Sequence, residues 1–203
     1  MIKVDRAVGI DLGTTNSEIA LLPPSERDFV IYEDKFGRRT VPSAVAWDSA
    51  KEVFLVGRPA RSKRGKLPLV ESIKRSMGQE TTTALGPHRL SPSEVSAKIL
   101  AELVRLMRGH LGSQAAPDVS TVVERAVITV PAYFDAPQVE ATRRAGEAAG
   151  LQVLGILQEP TAAAVYHAFK HGLRSGHFLI YDLGGGTFDV SPLRSLHGAY
   201  QVL

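Results

Sequence analysis

Apolar and polar positions alternate in short runs over the first thirty residues, and a helical period takes over after position 90. Residues 7–12, 17–22 and 29–32 are short, apolar and bounded by Gly, Thr, Pro or charge, which predicts strands. Residues 34–90 carry little strong periodicity beyond 44–47 and 53–56 and read as a smaller inserted unit. Ser91-Pro92-Ser93-Glu94 is a capping box with proline at the first helical position. Val95, Ile99, Leu103, Leu106 and Met107 then share one helical face, and Gly109 or Gly112 is expected to end the helix. Residues 112–121 are small and polar and predict a loop. Residues 125–130 predict a strand stopped by Pro131. Asp135 can cap a helix whose face holds Val139, Thr142, Ala145 and Ala149 and which Gly150 closes. A strand over 151–157 follows, then an alanine-rich helix from Glu159-Pro160-Thr161 to Lys170-His171-Gly172. A strand over 178–181 opens a new unit, with Val190 and Leu193 on the next strand. Pro192 should limit that strand to an edge or a bulge. The pattern is that of a mixed α/β fold.

Composition changes this picture little. A chain of 203 residues, 44% hydrophobic, can bury a sizeable core in one or two domains. A formal charge of +3 gives no reason to invoke nucleic acid, and the basic run Arg58, Arg61, Lys63, Arg64, Lys66 reads as a solvated face without interleaved aromatics. No cysteine is present, which excludes disulfides and thiolate metal sites and fits a reducing compartment. No apolar run approaches the roughly 20 residues of a membrane span. No leader-like apolar segment opens the chain, so a cytoplasmic location without membrane attachment is the expectation. The six histidines are read as structural or exposed.

Two segments near opposite ends carry the candidate chemistry. Asp11-Leu12-Gly13-Thr14-Thr15 follows one apolar strand, and Asp182-Leu183-Gly184-Gly185-Gly186-Thr187 follows another. After each turn the sequence alternates as a strand does, so these are hairpin turns. A P-loop or dinucleotide fingerprint would lead into a helix. Glycine allows close backbone approach, successive N–H groups can form an anion nest, and threonine hydroxyls can donate to phosphate. Aspartate at a strand end can hold Mg²⁺ directly or through its waters. Two such turns facing each other would clamp a nucleotide triphosphate.

The chain resembles the DnaK-type, or heat-shock protein 70, chaperone family. The matching strings are Gly9-Ile10-Asp11-Leu12-Gly13-Thr14-Thr15-Asn16-Ser17, Ile128-Thr129-Val130-Pro131-Ala132-Tyr133-Phe134, Ala148-Ala149-Gly150-Leu151, Glu159-Pro160-Thr161-Ala162-Ala163-Ala164 and Asp182-Leu183-Gly184-Gly185-Gly186-Thr187-Phe188-Asp189. They occur in the family order at about the family spacing and span nearly the whole chain. The resemblance implies an actin-like ATPase (ribonuclease H-like) fold. By that likeness residues 1–34 and 112–175 form the base of the first lobe, and 35–111 form its inserted upper subdomain. Residues 176–203 form only the first strands of a second lobe. The family's adenosine-gripping segments, third phosphate turn, interdomain linker and peptide-binding domain have no match within residues 1–203, as expected of either a truncated or a degenerate member.

The resemblance also implies roles. Asp11 and Asp182 would face each other across an Mg²⁺-phosphate group, with Glu159 positioning metal waters or the attacking water. Gly13, Thr14, Thr15 and Asn16 would hold phosphate from the first lobe, and Gly184, Gly185, Gly186 and Thr187 from the second. Thr187 and Asp189 would also serve the catalytic network. Lys74 matches the family's cleft lysine, which would reach the γ-phosphate and orient water. ATP or ADP and Mg²⁺ are the implied cofactors, with K⁺ as a further ion. Extended peptides, a J-domain co-chaperone and a nucleotide exchange factor are the implied partners. The full-length protein would be an ATPase that couples turnover to peptide binding and release, whereas residues 1–203 alone are expected to bind nucleotide weakly or not at all and to be weak or inactive as an ATPase.

Two departures bear on this. The family links the proline matched by Pro131 to an arginine eight positions on, but that position here is Val139; Arg143 and Arg144 are candidate substitutes. Ala136-Pro137 replaces the usual Asp-Ala. An incomplete second lobe would expose strand edges, so self-association or disorder of 176–203 is expected. The alternatives are another actin-like ATPase, either a filament protein or a sugar kinase, or an interaction module without turnover.

Overall fold

A computed structural model describes residues 2–22, 29–114, 119–184 and 188–203. Its elements in chain order are β1 (Ile2–Asp11), β2 (Asn16–Leu21), β3 (Val30–Ile31), β4 (Val41–Pro42), β5 (Ala44–Asp48), β6 (Val53–Val56) and α1 (Arg58–Arg61). Then come β7 (Leu69–Glu71), a 3-10 turn (Ile73–Ser76), β8 (Thr83–Leu85), β9 (His88–Leu90), α2 (Pro92–Gln114), β10 (Val119–Val130) and α3 (Ala136–Ala148). β11 (Gln152–Gln158), α4 (Glu159–His171), β12 (Ser175–Leu183), β13 (Phe188–Leu196) and β14 (Ala199–Val202) complete it.

The largest sheet runs β11-β10-β1-β2-β3, with β4 also paired to β2. β1, β10 and β11 are mutually parallel neighbours, whereas β1 and β2 form the antiparallel hairpin that contains the first glycine turn. Parallel neighbours need long crossovers, and α3 supplies the one between β10 and β11. One apolar cluster joins Val8, Ile10 and Ile19 of this sheet to Ile99, Leu103 and Met107 of α2, to Ala141 and Ala145 of α3, and to Val45, Trp47, Ile73, Met77 and Leu85 of the inserted segment. The segment over 34–90 is therefore fixed to the sheet by shared burial. Within it, β6-β5-β7 and β8-β9 form two small sheets.

Helix starts follow the caps. The Ser91 amide and hydroxyl donate to Glu94 Oε2 at 2.7 and 2.8 Å. Asp135 accepts from the Gln138 amide at 2.9 Å, and Gln138 Oε1 accepts from the Asp135 amide at 3.0 Å. Pro137 falls in the first turn of α3, where its missing N–H breaks no helical bond. The Ala136-Pro137 departure is thus absorbed locally.

Three expectations are corrected. The helix after Ser91 passes both glycines and reaches Gln114, and Leu111 beyond Gly109 still packs on the core. That contact offsets the roughly 1 kcal/mol each glycine costs. The expected loop over 112–121 is shorter, because strand β10 begins at Val119, where it finds a partner in the early residues of β1. Pro192 lies in β13, the central strand of β12-β13-β14. Its carbonyl accepts from the Leu203 amide at 2.9 Å, so its nitrogen faces the end of β14 and costs the β12 ladder nothing.

The sheet β12-β13-β14 pairs throughout its described length. One face turns Leu193, Ser191 and Ser195 inward, and the other leaves Leu179, Tyr181, Leu183, Phe188 and Val190 exposed. Such a contiguous apolar face favours association. Light scattering of residues 1–203 is expected to show dimers or larger species, and Leu179→Lys with Val190→Lys to shift them toward monomer. A monomer at tens of micromolar without those changes would overturn this. Asp135→Ala is expected to lower stability by about 1 kcal/mol through loss of the cap, read as a lower urea midpoint at unchanged slope.

Candidate nucleotide-phosphate site

The first turn lies between β1 and β2. A Cβ on Gly13 would sit 2.0 Å from the carbonyl oxygen of Asn16, so only glycine permits this closure. The turn is held from behind. Ser43 Oγ donates to the Gly13 carbonyl at 2.7 Å and lies 2.9 Å from the Ser17 hydroxyl; both serines are buried. The Thr15 carbonyl accepts from the Ser43 amide at 3.0 Å and from Arg61 Nη2 at 2.5 Å. In a trans peptide the following N–H points opposite to the carbonyl. Anchoring these two carbonyls therefore turns the Thr14 and Asn16 N–H groups away from their buttresses.

In front of the turn is a cavity of about 560 Å³. Asp11, Gly13, Thr14, Thr15 and Asn16 line it from the first hairpin, Lys74 and Glu159 from the side, and Asp182 and Gly184 from β12 and its end. Glu18, Thr40, Thr129, Pro131 and Tyr133 also line it. The two ends of the chain's pattern thus meet at one cleft. Asp189 does not line it, but it pairs with Asp182 across β12 and β13. Gly185, Gly186 and Thr187 lie outside the described residues.

Lys74 is the best-buried charge of the group, 5% exposed. It rides on the 3-10 turn, which Ser72 starts in a left-handed conformation (φ 57°). Its Nζ donates to Glu159 Oε1 at 2.5 Å, a contact across 85 positions. Glu159 is the first residue of α4, where free backbone N–H groups favour an anion. Burial raises its pKa, Lys74 opposes the rise, and Asp11 and Asp182 add to it. Glu18, opposite Asp11 in the hairpin register, is raised in the same sense by burial and by Asp11. The cleft is a concentration of carboxylates facing one buried ammonium. That donor set suits a hard divalent cation. No three carboxylate or imidazole groups among the described residues are close enough to share an ion directly. Asp11, Asp182 and Glu159 line the cleft and would suit an Mg²⁺ ion that keeps several of its own waters.

Several contributors escape the sequence reading. Thr129 Oγ1 donates to Asp11 Oδ1 at 3.1 Å from the neighbouring parallel strand. Ser43 and Arg61 brace the turn. The solvated-face reading of the basic run holds for Lys63, Arg64 and Lys66, which are exposed, and is corrected for Arg58, which donates to the Thr40 carbonyl at 2.7 Å, and for Arg61, which with Arg64 pairs with Glu71. The candidate substitutes for the missing arginine point elsewhere. Arg143 donates to the Val153 carbonyl at 3.3 Å, and Arg144 pairs with Glu140 at 3.6 Å. His167 and His171 do stand one turn apart on α4, with ring centroids separated by 4.4 Å, a helical pair the reading of the histidines overlooks. No third metal-capable donor joins them among the described residues.

The profile of the Hsp70 protein family matches residues 7–88 and 80–203. The DnaK chaperone of Halobacterium salinarum is 44% identical over 192 residues, covering 93% of this chain and 28% of that protein. The DnaK of Thermosipho melanesiensis is 42% identical over 203 residues, covering 99% and 32%. The DnaK of Mesomycoplasma hyopneumoniae is 44% identical over 197 residues, covering 97% and 31%. This chain belongs to the Hsp70 family. That membership implies an actin-like ATPase fold, with which the mixed α/β architecture agrees, and gives no support to a filament protein or a sugar kinase. The chain spans under a third of the length of these relatives. Among the described residues no helix is long and apolar enough to cross a membrane.

The Lys74–Glu159 pair yields a stability prediction. In Lys74→Ala the Glu159 carboxylate keeps its burial and its acidic neighbours but loses the ammonium that restrains its pKa. Breaking a fully buried pair costs roughly 3–5 kcal/mol, and the partial exposure of Glu159 argues for on the order of 2. A carboxyl group whose folded pKa is raised stabilises the fold most when protonated. The variant should therefore regain stability as pH falls through that raised value and lose it on the way back to neutrality. Urea midpoints of variant and parent at pH 5 and pH 7 check this; a pH-independent difference would contradict it.

Proposed function

We propose that this chain carries the phosphate-binding part of a DnaK-type chaperone ATPase site. The observation that carries this reading is the convergence of the Gly13–Asn16 turn, the Lys74–Glu159 pair and Asp182 on one cleft. Gly13, Thr14, Thr15 and Asn16 bind phosphate oxygens from one side. Gly184, with Gly185, Gly186 and Thr187, does so from the other. Asp11, Asp182 and Glu159 orient the waters of Mg²⁺, whose charge offsets that of the phosphates, and Thr129 fixes the Asp11 carboxylate by its hydrogen bond. Lys74 neutralises charge at the terminal phosphate, and its bond to Glu159 holds both groups at the water's approach. Asp189 supports Asp182 across the hairpin. Phosphoryl transfer depends mainly on such positioning and charge neutralisation. K⁺ is a further candidate ion for the same carboxylate-rich cleft.

In the longer relatives' arrangement this site would belong to the first lobe over 1–34 and 112–175, with 35–111 inserted and 176–203 opening the second. ATP turnover there would drive binding and release of extended peptides in the cytoplasm, assisted by a J-domain co-chaperone and an exchange factor. Val139 argues that coupling to a peptide domain runs differently here or is weak, and it leaves the phosphate site untouched.

Calorimetry tests the phosphate-led reading. Mg²⁺-tripolyphosphate and Mg-ATP should both bind residues 1–203, more weakly than micromolar, and Thr14→Val should weaken each roughly tenfold by removing one hydrogen bond to a charged ligand. No heat from either, or submicromolar ATP affinity, would overturn the phosphate-led reading. In a protein carrying both lobes, Lys74→Ala should slow single-turnover hydrolysis by about 10²-fold or more while changing ATP affinity less. Unchanged hydrolysis would remove Lys74 from the catalytic group.

A further inference from the structure

Arg61 ends α1, and its guanidinium holds two separate segments at once. Nη2 donates to the Thr15 carbonyl at 2.5 Å and Nη1 to Asn16 Oδ1 at 3.2 Å, both on the phosphate turn. Nε donates to Glu71 Oε1 at 3.2 Å. Glu71 closes β7, and the next residue, Ser72, starts the 3-10 turn that delivers Lys74. Arg64 holds the same carboxylate through Nε at 2.9 Å and Nη2 at 2.6 Å. The chain of contacts therefore runs from the turn through Arg61 and Glu71 to the backbone under Lys74, and from Lys74 to Glu159.

We propose that Arg61 is a positioning residue for the phosphate site. Its planar fork sets the spacing between the Gly13–Asn16 turn and the Lys74 segment, and it holds the turn in a phosphate-ready shape before any ligand arrives. An isolated surface ion pair would contribute little. Here one cation joins a backbone carbonyl, a side-chain amide and a carboxylate on elements 46 and 10 positions away, and charge-assisted bonds of this kind are the stronger ones. A lysine could satisfy one partner, but its single ammonium cannot reproduce the fork. Loss of Arg61 leaves Glu71 still gripped by Arg64 and Thr15 still bonded to the Ser43 amide, so the expected damage is local: the turn loosens and β7 stays paired. The consequence for ligand binding rests on the proposed phosphate-binding role, whereas the strut itself belongs to the ligand-free chain.

Amide exchange in isotopically labelled residues 1–203 tests this. Arg61→Ala should speed exchange at the Ser43 amide, which donates to the same Thr15 carbonyl, about tenfold or more, with Ile10 and Ile128 in the sheet unchanged. Arg61→Lys should fall between variant and parent, and Glu71→Gln should speed the Arg75 amide, which donates to the Ser72 carbonyl, as well as Ser43. Unchanged exchange at Ser43 overturns the proposal, as does a uniform acceleration that includes the sheet, since global destabilisation alone would produce it. Should Arg61→Ala fail to fold, Arg61→Lys and Glu71→Gln make the same comparison. Titration of the parent with Mg²⁺-tripolyphosphate reads the other claim separately. No shift at Thr14–Asn16 would remove the phosphate role, and the exchange data would still decide the strut. Where the parent does bind, Arg61→Ala should weaken it about tenfold.

Discussion

A buried ammonium against a half-buried carboxylate, Lys74 against Glu159, is the interaction on which the cleft depends. Neither charge could stay in place alone, because the cost of desolvating it would favour neutralisation or exposure. Together they tie a short 3-10 turn in the inserted segment to the first residue of α4. The pair has a second property that a hydrophobic contact would lack: its anionic half is already strained by Asp11 and Asp182. The cleft thus carries an excess of negative charge, which a hard cation with its waters would offset.

The parallel core makes this arrangement possible. β1, β10 and β11 lie side by side, so the ends of β1 and β11 and the residue Thr129 of β10 arrive at one edge of the sheet. Asp11, Thr129 and Glu159 come from there. Ligand sites at the carboxyl ends of parallel strands are a general outcome of such sheets. The inserted segment adds Lys74 and, through Ser43 and Arg61, the supports behind the phosphate turn.

Much of this was legible in the sequence where the controlling interaction is local. The Ser91–Glu94 and Asp135–Gln138 caps act within one helical turn, and the glycine of the first turn is required by an atom three residues away. The strand alternation of 178–181 and 188–193 likewise survives in the structure. What could not be read depends on partners distant along the chain. Residues 2–6 form strand because β10 extends to meet them. α2 continues past two glycines because Leu111 finds the core. Ser43, Arg61 and Thr129 serve the site through bonds spanning 30, 46 and 118 positions, for which no periodicity exists. Arg61 was hidden further by its setting, since a run of basic residues ordinarily faces solvent. Among the site residues, the paired Asp-Gly turns were visible from their own chemistry, whereas Lys74 and Glu159 were visible only through family resemblance, because each alone looks like an ordinary surface charge.

Ser72 adopts a backbone conformation that side chains other than glycine enter at a cost of about 1 kcal/mol or more. A glycine there would relieve that cost, yet it would also let the joint beneath Lys74 sample many more shapes. Position 72 is therefore a place where selection for folding and selection for aim pull in opposite directions. Drift toward greater thermal robustness at this joint would blur the lysine's reach, so a stabilised descendant could gain melting temperature and loosen the Lys74–Glu159 contact by the same single change.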